Sequence, residues 1–184
     1  MAKHVFADSL LYPKKNIRVQ SLRHYEVPDN VDFKEVFRDI KAKAKGQMNE
    51  SYNSFIVKAN KTFIDKEEEM VRIMEYDSDP KVLSMVPVNG YEDTPLWFSY
   101  GMFLKNQFKD TAGKDAVEVK AATMSIVAIK RQVVFVYVYA EKDQMAWAKK
   151  ITKAYLEALV AVNTIPVLKP NPKPIPAELK RVSR

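Results

Sequence analysis

Two side chains that often transfer protons in enzymes stand close together in the tetrapeptide RHYE at positions 23–26. A histidine beside a carboxylate can act as an acid–base pair, which would make the protein a small hydrolase with His24 and Glu26 as catalytic residues. The same alternation is also typical of an exposed strand edge. Because this spacing fixes neither a nucleophile nor an orienting partner, both interpretations stay open.

Carboxylates cluster at DKEEE (65–69) and YDSDP (76–80), and Ca²⁺ prefers such oxygen ligands. Neither stretch has the glycine and distal glutamate of a calcium loop, and solvated acidic turns explain both. Cysteine is absent, and the two histidines, His4 and His24, are far apart in sequence, which argues against thiolate and two-histidine metal sites. The stretch GKDA (113–116) lacks the upstream glycines of a phosphate loop. We therefore expect neither a metal nor a cofactor.

An aromatic segment, DTPLWFSYGMFLKNQFKDTAG at 93–113, offers a different kind of site. Thr94 before Pro95 is a good helix opening, and the spacing of the large side chains predicts a helix with an aromatic face. Aromatic side chains at this spacing either belong to the core or line a pocket for a small molecule. The candidate pocket residues are Trp97, Phe98, Tyr100 and Phe103.

The net charge of +7 is unevenly distributed, since residues 61–118 carry −5 between flanks of +4 and +8. Much of the basic excess lies in a C-terminal segment that holds five of the ten prolines, a composition that excludes helix and central strand. This segment is either a solvated tail or a docking peptide for a protein or an anionic surface. Nucleic acid is not favoured, because no aromatics alternate with the basic residues. The partner-binding candidates are Lys169, Lys173, Lys180 and Arg181.

The sequence is compatible with two cellular compartments. In VFADS, Val5 and Ala7 stand where a signal peptidase reads small residues, but no apolar stretch precedes them. A cleavage point would place the protein in the periplasm or outside the cell, and a chance pattern would leave it in the cytoplasm. The longest apolar run, Val133 to Ala140, is far shorter than the ~20 residues that cross a membrane.

Two strands dominate the second half of the chain. The stretch AVEVKAATMSIVAIK alternates with period two, and QVVFVYVYA is rich in β-branched and aromatic residues. They predict an antiparallel hairpin of Val117–Lys130 and Gln132–Ala140, joined by a short polar connection. Because both faces of the second strand are apolar, we expect a central strand covered on both sides, with Phe135 or Val136 buried.

Helices are expected on either side of these strands. After the hairpin, DQMAWAKKITKAYLEALVAVN predicts a helix that Asp143 caps. Upstream, PDNVDFKEVFRDIKAKAKGQMN predicts a helix that Asn30 or Asp32 caps and Gly46 closes, and SFIVKA (54–59) favours a strand. The stretch EEEMVRIMEYDSDP is ambiguous, because DKEEEM suits the start of a helix, but Val71–Tyr76 favours a strand. The apolar stripe expected on the last helix comprises Trp147, Ile151, Tyr155, Leu159 and Val162.

The order of these segments resembles the Mog1/PsbP-like α/β/α sandwich, through ATMSIVAIKRQVVFVYVYAE and the helix after it. The resemblance implies a non-catalytic binding or accessory protein, and many members of that group are found in bacterial envelopes or photosynthetic compartments. We expect an α+β protein with a flexible N-terminus (1–8), one domain (9–166) and a Pro-rich basic tail (167–184). The alternatives are the small hydrolase and a binder of anionic surfaces or nucleic acid through the basic ends.

Overall fold

The computed structural model describes residues 8–12, 17–76 and 85–164, which form one six-stranded antiparallel sheet and three α-helices. In chain order the elements are β1 Asp8–Tyr12, β2 Ile17–Glu26, α1 Phe33–Lys58, α2 Glu67–Tyr76, β3 Met85–Asp93, β4 Trp97–Lys109, β5 Asp115–Ile129, β6 Gln132–Glu141 and α3 Met145–Thr164. The strands lie in the order β1-β2-β6-β5-β4-β3. The predicted α+β class, with an antiparallel sheet and a C-terminal helix, is confirmed.

The predicted hairpin of β5 and β6 forms the centre of the sheet. Its register pairs Lys120 with Glu141 at one end and Ile129 with Gln132 at the other. The connection is a tight turn at Lys130, whose φ of 56° lies in the left-handed region. Because β6 lies between β2 and β5, its doubly apolar sequence suits a central strand, as predicted.

Helix α3 packs on one face of this hairpin, where Val127 and Val138 are fully buried together with Leu156 of the helix. Val136 points to the same face and is also fully buried, as its sequence predicts. Phe135 points to the other face and is only half-buried.

Helix α1 packs on that other face. Its buried side chain Phe37 contacts the cluster that contains Ile126 of β5 and Val133 of β6. Near its C-terminal end, Phe55 joins a separate cluster with Met74 of α2 at the β3–β4 side of the sheet. The sheet is therefore covered by helices on both faces.

The prediction that Gly46 ends the first helix and that SFIVKA forms a strand is wrong. Helix α1 continues through Gly46 to Lys58. A glycine inside a helix costs only roughly 0.5–1 kcal/mol relative to alanine, and burial of Phe55 in the core outweighs that cost. The predicted start is close, because the side chain of Asp32 accepts a hydrogen bond of 2.9 Å from the Lys34 amide.

The strand expected at Val71–Tyr76 is wrong as well, because these residues belong to α2. Met70 and Met74 are four residues apart, and both are buried against the sheet, as a helix requires. Three glutamates occupy the first turn, where their charge is favourable beside the positive end of the helix dipole. These acidic residues were the helix signal.

The helix expected after Pro95 is a strand, β4, which lies between β3 and β5. Its residues from Phe98 to Phe103 are all buried, because both faces of the strand are covered. The Thr94–Pro95 pair belongs instead to the turn between β3 and β4, where the Thr94 amide donates to the Trp97 carbonyl at 2.8 Å. Continuous burial removed the alternation that would have identified a strand.

Two residues of the apolar stripe predicted for α3 do not face the sheet. Trp147 and Val162 are 44% and 71% exposed. The residues that face the sheet most directly are Met145, Ala148, Thr152 and Leu156, while Ile151, Tyr155 and Leu159 pack at their side. Small side chains such as Ala148 let the helix approach the sheet closely, which a count of large apolar residues overlooks.

Candidate ligand-binding groove

An open groove of ≈ 540 Å³ lies at the end of the sheet where the β5–β6 and β3–β4 turns meet. The N-terminal half of α1 forms one wall and the C-terminal end of α3 forms another. Most of the groove surface is apolar, and its apolar residues include Phe33, Phe37, Leu96, Ala128 and Val160. Four separate segments of the chain therefore build one concave, mainly apolar surface.

The floor of the groove is held by local geometry. The ring of Phe33 stacks on that of Phe37, with centroids 6.1 Å apart, and Phe37 is anchored in the core. The Ala128 amide donates to the Leu96 carbonyl at 2.8 Å, which ties the β3–β4 turn to β5. The hydroxyl of Thr94 accepts from the Leu96 amide at 3.2 Å and fixes this turn. The floor is thus largely pre-formed.

Four cationic side chains edge the groove, namely Lys34, Arg38, Lys41 and Lys130. Its described lining contains no aspartate or glutamate. Two of the four cations have carboxylate partners just outside the lining: Arg38 contacts both Glu35 and Asp39 at 3.2 Å, and Lys41 contacts Asp93.

Lys41 is the best-anchored of these cations. Its ammonium group donates to Asp93 at 3.1 Å and to the Thr94 carbonyl at 2.8 Å, and it lies 5.4 Å from the centroid of the Phe37 ring. A hydrogen bond from Lys45, assisted by that from Lys41, holds the pKa of Asp93 below its ordinary value. The carboxylate of Asp93 therefore stays ionised beside the groove.

The other two lysines, Lys34 and Lys130, have no such partner among the described side chains. Both are exposed. Lys34 is in the first turn of α1, and Lys130 is at the tip of the β5–β6 turn, so they approach the groove from different elements. Two positive charges at the mouth of the groove are thus left without a described counter-charge.

Arg131, next to Lys130, is a structural residue. Its guanidinium donates to the carbonyls of Val27 at 3.2 Å and Val31 at 2.8 Å, and it also contacts the Pro28 carbonyl. These bonds fasten the segment between β2 and α1 to the central hairpin. They position the start of α1, and with it one wall of the groove.

The catalytic candidates His24 and Glu26 both lie on β2. The register of β2 against β6 is irregular between Arg23 and Tyr25, at the position of His24. Glu26 is exposed at the end of the strand. Glu26 is not among the residues that line the groove. A catalytic role for His24 and Glu26 stays a prediction.

The aromatic candidates are divided between the two faces of β4. Tyr100 packs on the α1 side with Phe98, whereas Trp97 and Phe103 belong to clusters on the opposite side. The helical face that was expected to unite them does not exist. A ligand-binding role for Trp97, Tyr100 and Phe103 stays a prediction.

A second cavity of ≈ 330 Å³ lies between α1 and the sheet, and Tyr100 contributes to its lining together with Met48 and Met124. The Tyr100 hydroxyl donates to the Met124 sulfur at 2.8 Å. Burial raises the pKa of Tyr100 to about 12, with a further contribution from Tyr137. A phenol that is harder to ionise is poorly suited to act as a base at neutral pH.

The acidic stretch at 65–69 takes part in ion pairs, since Glu67 contacts Lys149 at 2.8 Å and Glu69 contacts Lys61 at 3.5 Å. The second stretch, from position 77 onward, lies outside the described residues. Within the described ranges, no group of three or more potential metal ligands comes together. A search of the same ranges found no helix of sufficient length and apolarity to cross a bilayer.

Comparison with models of known protein families and with curated protein sequences found no match.

The sequence did contain one signal for the groove. Lys34, Arg38, Lys41 and Lys45 are spaced by four, three and four residues, so they follow one side of α1. This row borders the apolar stripe that includes Phe33 and Phe37. A cationic row along an apolar stripe is also common on ordinary solvated helices, and only the positions of the two turns and α3 turn it into a groove.

Proposed function

We propose that this protein is a non-catalytic binding module and that the groove between α1 and α3 is its ligand site. One observation carries the proposal: a largely apolar groove with a volume of ≈ 540 Å³ is open to solvent and is edged by cationic side chains. Sites for small molecules typically have volumes of about 300–1,000 Å³ and combine an apolar lining with a few polar groups. The occupant we propose is a small molecule with an apolar body.

The chemistry of the groove supports binding rather than catalysis. Its described polar side chains are the four cations together with Asn163 and Thr164. The Thr164 hydroxyl donates to the carbonyls of Val160 and Ala161 at 3.0 and 3.1 Å, which directs it toward its own helix. Among the described lining residues, no hydroxyl or amine is paired with a base that would activate it.

The proposal includes an accessory role in a bacterial envelope, which the Mog1/PsbP-like resemblance implies. An antiparallel sheet with helices on both faces supports that part of the proposal by analogy of layout alone. The binding site does not depend on it, because the groove is argued from its own residues.

The proposal is tested with N-phenyl-1-naphthylamine, an uncharged apolar fluorophore whose emission rises in apolar surroundings. We expect saturable binding of one molecule per chain. Ala128→Phe fills the floor of the groove and should reduce the affinity at least about tenfold, which corresponds to about 1.4 kcal/mol. Leu96→Ser removes apolar surface from a more exposed part of the floor and should reduce the affinity less.

The matched control is Ala154→Phe, which adds the same ring at an exposed position on α3 outside the groove. It should leave the affinity unchanged. Melting curves of all variants establish that each is folded. If folded Ala128→Phe and Leu96→Ser proteins bind the probe as the parent does, the groove is not the site.

A further inference from the structure

We propose that the groove selects an amphiphile with an anionic headgroup, specifically a carboxylate on an apolar chain, and that Lys34 and Lys130 bind this headgroup. The inference rests on the proposed function, because it names the class of ligand for the same groove. The preference for an anionic headgroup follows from the distribution of charge around the groove and not from its apolar floor.

The cations of the groove fall into two pairs. Arg38 and Lys41 already have carboxylate partners, in Glu35 and Asp39 for the first and Asp93 for the second. Their charges are locally compensated, and Lys41 is further fixed by the Thr94 carbonyl. A ligand anion would gain little from either of them.

Lys34 and Lys130 form the second pair. Within the described part of the chain, neither ammonium group has a carboxylate partner, and both border the groove. They belong to different elements, the first turn of α1 and the β5–β6 turn. A carboxylate placed between these elements would meet two cations, while its apolar chain would cover Phe33, Leu96 and Ala128.

The charge pattern also disfavours other occupants of the groove. An apolar peptide or a neutral lipid would cover the floor but leave both lysines without a counter-charge. The residues that follow Thr164 in sequence include Ile165, Val167 and Leu168, but this stretch is basic and carries Lys169 and Lys173. A basic segment mismatches a cationic rim, so this charge pattern favours an acidic amphiphile over the chain's own C-terminal residues.

The experiment compares decanoate with 1-decanol, which share an apolar chain and differ in the charge of the headgroup. Each ligand displaces N-phenyl-1-naphthylamine from the full chain at pH 7.5 and low ionic strength. We expect decanoate to bind about tenfold more tightly, because its carboxylate can pair with two cations that the hydroxyl of decanol cannot neutralise. Only the decanoate affinity should fall as salt is raised.

Two substitutions remove the headgroup contacts while leaving the floor intact. Lys34→Gln acts on α1, and Lys130→Asn acts on the turn, where asparagine tolerates the left-handed backbone. The double variant should lose most of the preference for decanoate while keeping its affinity for decanol. The control Lys114→Gln removes one charge at the far end of the sheet, in the β4–β5 turn, and should keep the preference.

The outcomes separate the two proposals. If decanoate and decanol displace the probe equally well, the groove binds apolar molecules and the anionic preference is overturned. If the probe binds but neither ligand displaces it, the amphiphile proposal fails while the groove remains a site for apolar molecules. If the probe itself does not bind, both proposals fail. If changing Val167 and Leu168 together to serine raises the affinity for both ligands, the chain's own segment occupies the groove, and the amphiphile is not its natural occupant.

Discussion

Leu156 and Val162 lie six residues apart on α3 in opposite environments. Leu156 is fully buried between the helix and the central hairpin, whereas Val162 is 71% exposed. Leu156→Ala should lower the free energy of unfolding by about 2–5 kcal/mol, because it removes buried methyl groups and leaves a cavity. Val162→Ala should change it by less than about 0.5 kcal/mol. Urea denaturation measures both, and equal losses would contradict the phase of the helix.

Asp93 should make stability depend on pH in the acid range. Its pKa is lowered from 3.8, mainly by the hydrogen bond from Lys45, so its ionised form is favoured in the folded state. Its contribution is therefore fully present above about pH 4 and is lost as the pH falls through the lowered folded pKa. The side chain is 44% exposed, which limits the contribution to about 1 kcal/mol or less.

Comparison with Asp93→Asn isolates this contribution. The difference in unfolding free energy between the parent and the variant should be constant from pH 7 to 5 and should shrink below pH 4. Urea denaturation at a series of pH values provides the measurement. A difference that stays constant down to pH 2 would show that Asp93 titrates normally in the folded protein.

At the scale of elements, Gly46 and Gly101 differ in what surrounds them. A Cβ at Gly46, inside α1, would meet no atom within 4 Å, whereas a Cβ at Gly101, on β4, would lie 3.0 Å from the Met145 sulfur. Gly46→Ala should therefore stabilise the protein by about 0.5–1 kcal/mol, because alanine favours the helix. Gly101→Ala should not stabilise it, since the contact with α3 is already close.

Thermal and urea denaturation of the two variants measure these changes in stability. If Gly46 instead ended the helix in a left-handed conformation, as the sequence suggests, its replacement by alanine would be destabilising. A loss of stability in Gly46→Ala would therefore contradict a continuous α1.

The success of sequence-based prediction differed between elements for physical reasons. The β5–β6 hairpin follows from local alternation and β-branched composition, which require no knowledge of the rest of the chain. Strand β4 does not, because a strand buried on both faces loses its alternation and Pro95 imitates the start of a helix. Helix α2 was obscured by a short apolar run that suits either structure.

The groove was still harder to predict from the sequence. Three of its four cations follow the helical spacing of α1, so this part of the signal is local. Its floor, however, comes from Leu96, Ala128 and Val160, which belong to three distant segments that only the order of the strands and the placement of α3 bring together. The sequence drew attention to His24 because of its chemistry, and no comparable cue marks a surface assembled from ordinary apolar residues.

At the scale of the whole molecule, the basic C-terminal segment lies outside the described residues, and its role stays a prediction. Residues 167–184 carry five basic side chains, one acidic side chain and four prolines, with few large apolar residues. Deletion of residues 169–184 should leave the melting temperature nearly unchanged, because so little apolar surface cannot offset the entropy lost on ordering. It should also weaken binding to phosphatidylglycerol vesicles at low salt.

Calorimetry and vesicle co-sedimentation test the two parts separately. Vesicles of phosphatidylcholine serve as the uncharged control, and high salt should abolish any difference between the deletion variant and the parent. A deletion variant that unfolds would show that the segment packs on the domain, with Leu168, Ile175 and Leu179 as its expected anchors.

The most direct test of the account is the location of a bound apolar probe. In methyl-labelled protein titrated with N-phenyl-1-naphthylamine, ring currents from the probe should shift the NMR signals of Leu96, Ala128 and Val160, which line the groove. The signals of Val57 and Val117, which are exposed outside the groove, should stay in place. Shifts confined to Val57, Val117 or other residues outside the groove, or no shifts at saturating probe, would contradict the groove as the ligand site.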